Sequence, residues 1–321
     1  MGARPVGAQS LVHSREMLAI VSPGQGAQTP GMLTPWLEDE AFASAIADFS
    51  EASGLDLAQL GTTADADTIR DTAIAQPLLV ATALASARAL GASDLTVGLV
   101  AGHSVGEFAA AALAGVLSES EAVRLVTVRG RAMADAAAAS EPTSMAAVLG
   151  GDEAEVADAI SRLGLTAANM NGAGQVVAAG AKAAIEALVA EPPARARVIE
   201  LQVAGAFHTS SMEPAVETLR AATADVSPAD PTVALLSNAD GEAVADGADA
   251  LARLVCQVAS PVRWDLCMQA MSAHGVTGIV ELAPGGVLSG LAKRALKDIP
   301  AVALKTPDDL AAARELAGAS A

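Results

Sequence analysis

A serine between two glycines is the strongest chemical signal in this chain, in the pattern G-x-S-x-G at residues 102–106. An apolar run at residues 97–101 precedes it and an alanine-rich helical segment follows, which is the strand–turn–helix order of a nucleophile elbow. The glycines allow a tight turn that leaves the hydroxyl of Ser104 beside the amino end of the next helix. Free N–H groups and the helix dipole favour negative charge there. The pattern predicts that Ser104 is a nucleophile.

A serine nucleophile needs a base within hydrogen-bond reach, and the chain has four histidines. His13 falls in an N-terminal segment that we place outside the fold. His103 adjoins Ser104 and points away from it across a sharp turn, so it is expected to pack beneath the turn. His274 ends an amphipathic helix, where a histidine stabilises the helix end by interacting with the helix dipole. His208 lies at a predicted domain junction, where loops commonly line clefts, and is therefore the predicted base.

An arginine lies on the apolar face of the helix predicted to start at the capping box Ser118–Glu121 and to run to about residue 139. Arg129 shares this face with apolar residues at spacings of three and four, namely Ala122, Leu125, Val126, Ala132 and Met133. A guanidinium on an apolar face is costly unless an anion meets it. The anion is either a carboxylate of the protein or one of a bound ligand, and the spacing favours neither.

Composition restricts the class of protein. Hydrophobic residues make up 52% of the 321 residues and aromatics only 2%, so the core is expected to consist of Ala, Val and Leu. The net charge of −18 argues against nucleic acid and anionic membranes as partners. No apolar run approaches the roughly 20 residues of a membrane span. Cys256 and Cys267 lack metal-ligand spacing and are expected to be small buried residues, so we expect a cytoplasmic protein without a metal site.

Strands that alternate with helices predict a mainly parallel, three-layer α/β sheet, described here as α/β-hydrolase-like. A β-α-β-β-α-β pattern predicts an inserted ferredoxin-like small domain at residues 143–207. The large catalytic domain then comprises residues 17–142 and 208–321, and residues 1–16 are expected to form a disordered extension. One feature differs from α/β-hydrolases, because no obvious acid lies between Ser104 and His208. A backbone carbonyl or an amide side chain could orient the imidazole instead.

Local signals also predict two helix starts. Pro77 is expected near the first turn of a helix that runs to about Leu90, where a proline is tolerated. Ser260 and Pro261 are expected to be the N-cap and the first residue of a helix that ends near Gly275.

Five separated motifs occur in a fixed order: P-G-Q-G-A-Q at 23–28, G-H-S-V-G-E at 102–107, R-G at 129–130, G-A-F-H at 205–208 and S-P-V-R-W at 260–264. Together they resemble the malonyl-CoA:acyl carrier protein transacylases, a family related to the acyltransferase domains of fatty-acid and polyketide synthases. The resemblance covers residues 17–321. It implies a monomeric enzyme of fatty-acid or polyketide synthesis that needs no bound cofactor.

The resemblance implies a ping-pong reaction through a malonyl ester on Ser104. His208 would take the proton of Ser104, which attacks the thioester of malonyl-CoA, and the phosphopantetheine thiol of the acyl carrier protein would then remove the malonyl group. The backbone N–H groups of Gln25 and Val105 would form the oxyanion hole.

The same resemblance assigns three further roles. Arg129 would bind the malonyl carboxylate through its planar fork. The main-chain carbonyl of Gln257 would orient His208, and Asn171 would lie at the edge that meets the pantetheine arm. Lys293, Arg294 and Lys297, on one predicted helix, are either a docking patch for an acidic carrier protein or an ordinary solvated face.

Three alternatives stay open. A serine esterase or thioesterase would share Ser104 and His208 but would use water as the acceptor and would not need a buried Arg129. An acyltransferase for another acyl-CoA would differ only in its substrate. A non-catalytic carrier-binding protein is disfavoured, because decay would not spare all three residues.

Phe207, directly before the predicted base, bears on substrate choice. In related acyltransferase domains a Phe at this place goes with malonyl rather than α-methylated units, because a bulky ring would crowd an α-substituent. We expect kcat/KM for malonyl-CoA to exceed that for methylmalonyl-CoA by at least about tenfold, the discrimination that one methyl-sized group commonly gives. Loading rates measured with each thioester test this, and comparable turnover of both would contradict it.

Overall fold

The computed structural model describes residues 17–318. The predicted extension at residues 1–16, with His13, lies outside this range. The strands within it are β1 (Leu18–Ser22), β2 (Val97–Gly102), β3 (Thr143–Gly150), β4 (Thr166–Gly172), β5 (Gln175–Ala181), β6 (Ala196–Glu200), β7 (Ala234–Leu236), β8 (Ala243–Val244), β9 (Gly278–Glu281) and β10 (Ala301–Ala303). The helices are α1 (Glu40–Ser53), α2 (Leu57–Thr62), α3 (Ala66–Arg70), α4 (Thr72–Leu90), α5 (Gly106–Leu113), α6 (Glu119–Ala139), α7 (Glu153–Arg162), α8 (Lys182–Ala190), α9 (Glu213–Ala222), α10 (Gly247–Cys256), α11 (Trp264–Ala273), α12 (Val287–Ala295) and α13 (Leu310–Leu316).

The larger sheet has the strand order β10-β9-β1-β2-β7-β8. Its neighbours pair in parallel except for the antiparallel pair β7 and β8. β1 and β2 lie side by side with Ser22 opposite Gly102, so the loops that follow them emerge at the same edge. Open α/β sheets bind ligands outside the carboxyl ends of such strands. The predicted α/β class is confirmed.

The smaller sheet is antiparallel and has the strand order β4-β5-β3-β6. Helices α7 and α8 pack on it around a separate apolar cluster that includes Val148, Ile160 and Ile185. Its edge strand β4 contacts the segment before α11, where the N–H of Met170 donates to the carbonyl of Val262 (2.8 Å). The two sheets therefore face each other across a cleft.

Helix α4 forms the centre of the larger core. By length and composition this 19-residue helix could cross a membrane. The expectation that no apolar run approaches the length of a membrane span was therefore wrong. However, 83% of its most apolar window is buried against the rest of the protein, as in a core helix. Its start also differs from expectation, because Asp71 accepts the N–H of Ala73 (2.8 Å) and caps the helix early, which leaves Pro77 inside the helix rather than near its first turn.

Three other local predictions were wrong. Ser260 and Pro261 do not start α11, because hydrogen bonds between Val262 and β4 hold this segment extended. Cys256 is exposed, since it lies on the side of α10 opposite its buried residues. Lys297 lies beyond the end of α12. Cys267 is buried, as expected.

A buried carboxylate fixes the start of α12. Glu281, at the end of β9, accepts from the backbone N–H groups of Gly286 (2.8 Å), Leu288 (2.9 Å) and Ser289 (2.8 Å), and from the hydroxyl of Ser289. The carboxylate thus satisfies N–H groups that a helix start leaves free.

We expect Glu281→Gln to lower the free energy of unfolding by about 2–3 kcal/mol, because an amide has one acceptor oxygen and leaves buried donors unpaired. Urea denaturation followed by circular dichroism measures the change. The control is Glu153→Gln on the exposed first turn of α7, which should stay within about 0.5 kcal/mol of wild type. Equal effects of the two substitutions would contradict the role given to Glu281.

Candidate active site

The predicted elbow connects β2 to α5, and its glycines are required by close contacts, one within the turn itself and one with β1. A Cβ on Gly102 would lie 2.0 Å from the carbonyl carbon of Gly106, and one on Gly106 would lie 2.3 Å from the carbonyl oxygen of Ser22. Ser104 itself has a φ of 52°, a strained value for a residue with a side chain. Close packing of β1 against the turn therefore holds Ser104 at the amino end of α5.

Ser104 and His208 are in direct contact. Ser104 Oγ lies 2.8 Å from His208 Nε2, and His208 Nδ1 lies 2.9 Å from the main-chain oxygen of Gln257. A carbonyl oxygen can only accept, so Nδ1 carries the proton and donates it. The unprotonated Nε2 is then free to accept the hydroxyl proton of Ser104. All three residues are buried.

Electrostatics keep this imidazole neutral. Burial first, and the positive charge of Arg129 second, lower the pKa of His208 to about 3. Burial also lowers the pKa of Arg129, to about 10, which leaves it a cation at neutral pH, while the charge of Glu107 opposes that shift. A neutral base therefore lies beside a buried cation.

Arg129 has only neutral hydrogen-bond partners. Its Nη1 donates to Gln76 Oε1 (2.6 Å), and its Nη2 donates to Gln257 Oε1 (2.7 Å) and weakly to Ser104 Oγ (3.4 Å). Its Nε–H has no partner within residues 17–318, and no carboxylate of that range lies within 4.0 Å of the guanidinium. The sequence left open whether Arg129 pairs with a carboxylate of the protein or with one of a bound ligand. No carboxylate of residues 17–318 pairs with it directly.

A cavity of about 500 Å³ opens onto Ser104 and His208 between the two sheets. Its apolar wall includes Phe207, Met133 and Met145. Its polar lining includes Gln25, Gln76, His103 and Asn171. The enclosed space is of the size and character of small-molecule sites.

Of the two predicted oxyanion donors, Gln25 lines the cavity together with Ser104, and Val105 follows Ser104 in the chain. Gln25 lines the cavity on the loop after β1, and its Nε2 donates to Thr72 Oγ1 (3.3 Å), which ties the loop to α4. Val105 is buried at the start of α5. Neither backbone N–H makes a hydrogen bond within the described chain, whereas that of Ser104 donates to Asn238 Oδ1 (2.8 Å). Their role stays a prediction.

Asn171 is tied to the elbow. Its Oδ1 lies 2.8 Å from His103 Nε2, so this amide oxygen already bonds the neighbour of the nucleophile. His103 also packs edge-on to Trp264, with ring centroids 5.7 Å apart. The side chain of Asn171 therefore joins the smaller sheet to the elbow at the cavity wall, and its contact with a pantetheine arm stays a prediction.

Sequence reasoning missed three polar residues of the site: Gln76, Glu107 and Asn238. Burial raises the pKa of Glu107, and hydrogen bonds from Asn238 and Gln257 and the charge of Arg129 oppose that rise. Glu107 had a usable signal, because it is the only charged residue in the otherwise apolar α5. Gln76 and Asn238 carried none, since each belongs to a different segment and meets the site only after folding.

An α/β fold with a buried serine–histidine pair at an elbow, and a buried cation whose Nη2 lies 3.4 Å from the serine hydroxyl, defines a class of enzymes that transfer acyl groups through a serine. The family model described as "Acyl transferase domain" matches residues 20–314. This chain belongs to that family.

Similar proteins agree with this assignment. The malonyl CoA-acyl carrier protein transacylase of Mycobacterium bovis is 53% identical over 297 residues, which cover 92% of this chain and 98% of that protein. A crystal structure of the Mycobacterium tuberculosis enzyme has a TM-score of 0.90 at 52% identity and covers 94% of this chain and 100% of that one. A malonyl transacylase in complex with a type II polyketide acyl-carrier protein has a TM-score of 0.87 at 30% identity and covers 94% of this chain and 99% of that one. The family resemblance is thus confirmed.

The buried neutral state of His208 has a consequence for stability. As pH falls below the ordinary value of 6.5, the unfolded chain takes up the proton while the folded imidazole, with a pKa of about 3, does not. The stability that neutral His208 contributes is therefore complete above pH 6.5 and is lost towards pH 3. Between pH 7 and pH 5 wild type should lose about 2 kcal/mol more than His208→Gln.

Urea denaturation at several pH values measures this difference. His274→Gln is the matched control, because it removes an exposed imidazole at the end of α11. Parallel curves for wild type and His208→Gln would show that His208 titrates normally in the folded protein.

Proposed function

We propose that this protein transfers the malonyl group of malonyl-CoA to the phosphopantetheine thiol of holo acyl carrier protein. It is an acyltransferase that supplies extender units for fatty-acid or polyketide synthesis. The single observation that carries the choice of acyl group is Arg129, a buried cation 3.4 Å from the hydroxyl of Ser104 with no carboxylate within 4.0 Å in residues 17–318. A malonyl thioester carries the carboxylate that this cation lacks.

In the first half-reaction, His208 Nε2 takes the proton of Ser104 as Oγ bonds to the thioester carbon. The developing oxyanion accepts hydrogen bonds from the backbone N–H groups of Gln25 and Val105, and these bonds stabilise its negative charge. The carbon–sulfur bond then breaks, and the coenzyme A sulfur leaves with the proton from the imidazolium. The Gln257 carbonyl, 2.9 Å from Nδ1, supports the imidazolium while it exists.

In the second half-reaction, the thiol of the carrier protein takes the place of coenzyme A. His208 accepts the thiol proton as the sulfur attacks the malonyl ester, and it returns the proton to Ser104 Oγ as the ester bond breaks. One thioester is exchanged for another, so the reaction needs no bound cofactor. Apolar lining around the ester, including Phe207 and Met145, disfavours water as the acceptor.

Arg129 distinguishes this function from the alternatives. Its Nε–H has no partner among residues 17–318, and one hydrogen of its Nη2 makes only a weak bond to Ser104 Oγ, at 3.4 Å. These two N–H groups are available to a planar carboxylate. A serine esterase gains nothing from a buried guanidinium, and an acyl-CoA without a terminal carboxylate would leave the cation unpaired. The carboxylate of the malonyl group matches the charge of this guanidinium.

We also infer a finer domain division. The strand order and the β-α-β-β-α-β connection of the smaller sheet support a ferredoxin-like domain at residues 143–207, inserted in an α/β-hydrolase-like domain of residues 17–142 and 208–321. We expect a cytoplasmic monomer without nucleic-acid or membrane partners. Lys293 and Arg294, exposed on the helix whose Val287 lines the cavity, remain the candidate contact for an acidic carrier, with Lys297 just beyond.

Intact mass after mixing with malonyl-CoA tests the function. Wild type should gain one malonyl group and lose it to holo carrier protein, and Ser104→Ala should gain none. Arg129→Ala should lower the malonyl loading rate by at least about 100-fold, because the substrate carboxylate loses its buried partner. Acylation by the uncharged ester p-nitrophenyl acetate should change less than about fivefold.

Arg131→Ala is the matched control, since Arg131 is exposed two residues further along the same helix. It should load malonyl at the wild-type rate. Equal losses with both acyl donors in Arg129→Ala would show that Arg129 acts structurally and not through the malonyl carboxylate. Unchanged malonyl loading in this variant would favour the esterase alternative, and absence of any wild-type adduct would refute the transferase.

A further inference from the structure

One buried acid has no part in the proton transfers above. Glu107 lies in the first turn of α5, three residues after Ser104, and is 5% exposed. Its Oε1 accepts the backbone N–H of Asn238 (2.6 Å), and its Oε2 accepts from the side-chain Nε2 of Gln257. It is held by these two donors and contacts neither His208 nor Arg129 by a hydrogen bond.

Gln257 is the residue on which the base and the cation converge. Its main-chain oxygen lies 2.9 Å from His208 Nδ1, and its side-chain Oε1 accepts from Arg129 Nη2 (2.7 Å). Its Nε2 donates to the carbonyl of Ser104 (2.9 Å) and to Glu107. The reversed amide would set its NH₂ against the guanidinium and its oxygen against the Ser104 carbonyl, so only one orientation satisfies these groups.

We propose that Glu107 is a positioning residue that fixes Gln257 and, through it, both His208 and the carboxylate-binding Arg129. The amide nitrogen of Gln257 has two hydrogens, one for Ser104 and one for Glu107. Each oxygen of Glu107 faces one donor, so this position needs two acceptors in a single side chain. Both facing groups are N–H donors, so these contacts require the ionised form, which the two hydrogen bonds and the charge of Arg129 favour against burial. The carboxylate supplies both acceptors, whereas an amide supplies one and sets a donor against a donor.

The inference rests on the proposed function, and Glu107→Gln tests it with the full-length enzyme. Loading of Ser104 is followed by intact mass with malonyl-CoA and with p-nitrophenyl acetate. Because a loose Gln257 no longer fixes Arg129, the malonyl KM should rise by at least about fivefold, and kcat should fall with both donors as His208 loses alignment. A purely structural residue would lower the active fraction and leave the malonyl KM unchanged.

A double-mutant cycle tests the route of the effect. If Glu107 acts through the side chain of Gln257, then adding Glu107→Gln to Gln257→Leu should change malonyl kcat/KM by less than about twofold. The proposal would be overturned if the two substitutions lowered kcat/KM independently, so that their effects multiplied in the double mutant. A normal malonyl KM in folded Glu107→Gln would also overturn it. If Glu107→Gln does not fold, Gln257→Leu alone tests the proposal. A normal malonyl KM in that variant would show that the Gln257 side chain does not position Arg129, which contradicts the proposal.

Glu281→Gln is the matched control, because it also replaces a buried carboxylate by an amide but makes no bond to Gln257. It should lower the melting temperature and leave the ratio of malonyl to acetyl loading unchanged. The outcomes separate the two proposals. Wild type that never forms a malonyl adduct refutes the function, whereas a normal wild type with unaffected variants refutes only the role of Glu107.

Discussion

The burial of one guanidinium, that of Arg129, is the constraint on which the rest of the site depends. Removing a cation from water costs several kcal/mol unless polar groups replace its hydration. Here two amide oxygens, from Gln76 and Gln257, replace part of this hydration. The charge of Glu107, on the far side of the Gln257 side chain, also stabilises the cation. Under the proposed function the remaining deficit attracts the substrate carboxylate, while burial first and the same positive charge second keep His208 neutral. The buried guanidinium would then contribute both to substrate binding and to the neutral state of the base.

The larger sheet supplies the geometry in which this charge is useful. Parallel pairing brings the loop after β1 beside the elbow after β2, so Gln25 and Ser104 line one cavity. The smaller sheet closes the other side, attached through the backbone bonds of Val262 and through the contact between His103 and Asn171. A site enclosed in this way strengthens electrostatic interactions and limits water, which a relay between two thiols requires.

Much of this could be read from residue patterns, and the failures have a common physical cause. The stripe of α6 was correct, since Arg129 and its apolar neighbours are all buried. Ser260 was expected to cap a helix, but pairing of Val262 with β4 prevailed over the local signal. Helix α4 extends further than Pro77 suggested because Asp71 caps it, and its membrane-like composition reflects burial in the core. In each case a contact outside the local window decided the outcome.

The sequence by itself determined the alternation of strands and helices, the elbow around Ser104, the choice of His208 among the histidines and the place of Arg129 on an apolar face. These follow from periodicity, turn chemistry and residue type, which act over a few residues. Only the tertiary structure decided what Arg129 bonds and how Glu107 reaches it. Glu107 and Gln257 are 150 residues apart in the chain, and Gln257 and Arg129 are 128 apart. Hydrogen bonds of this kind depend on positions that exist only once the sheets and helices have packed together.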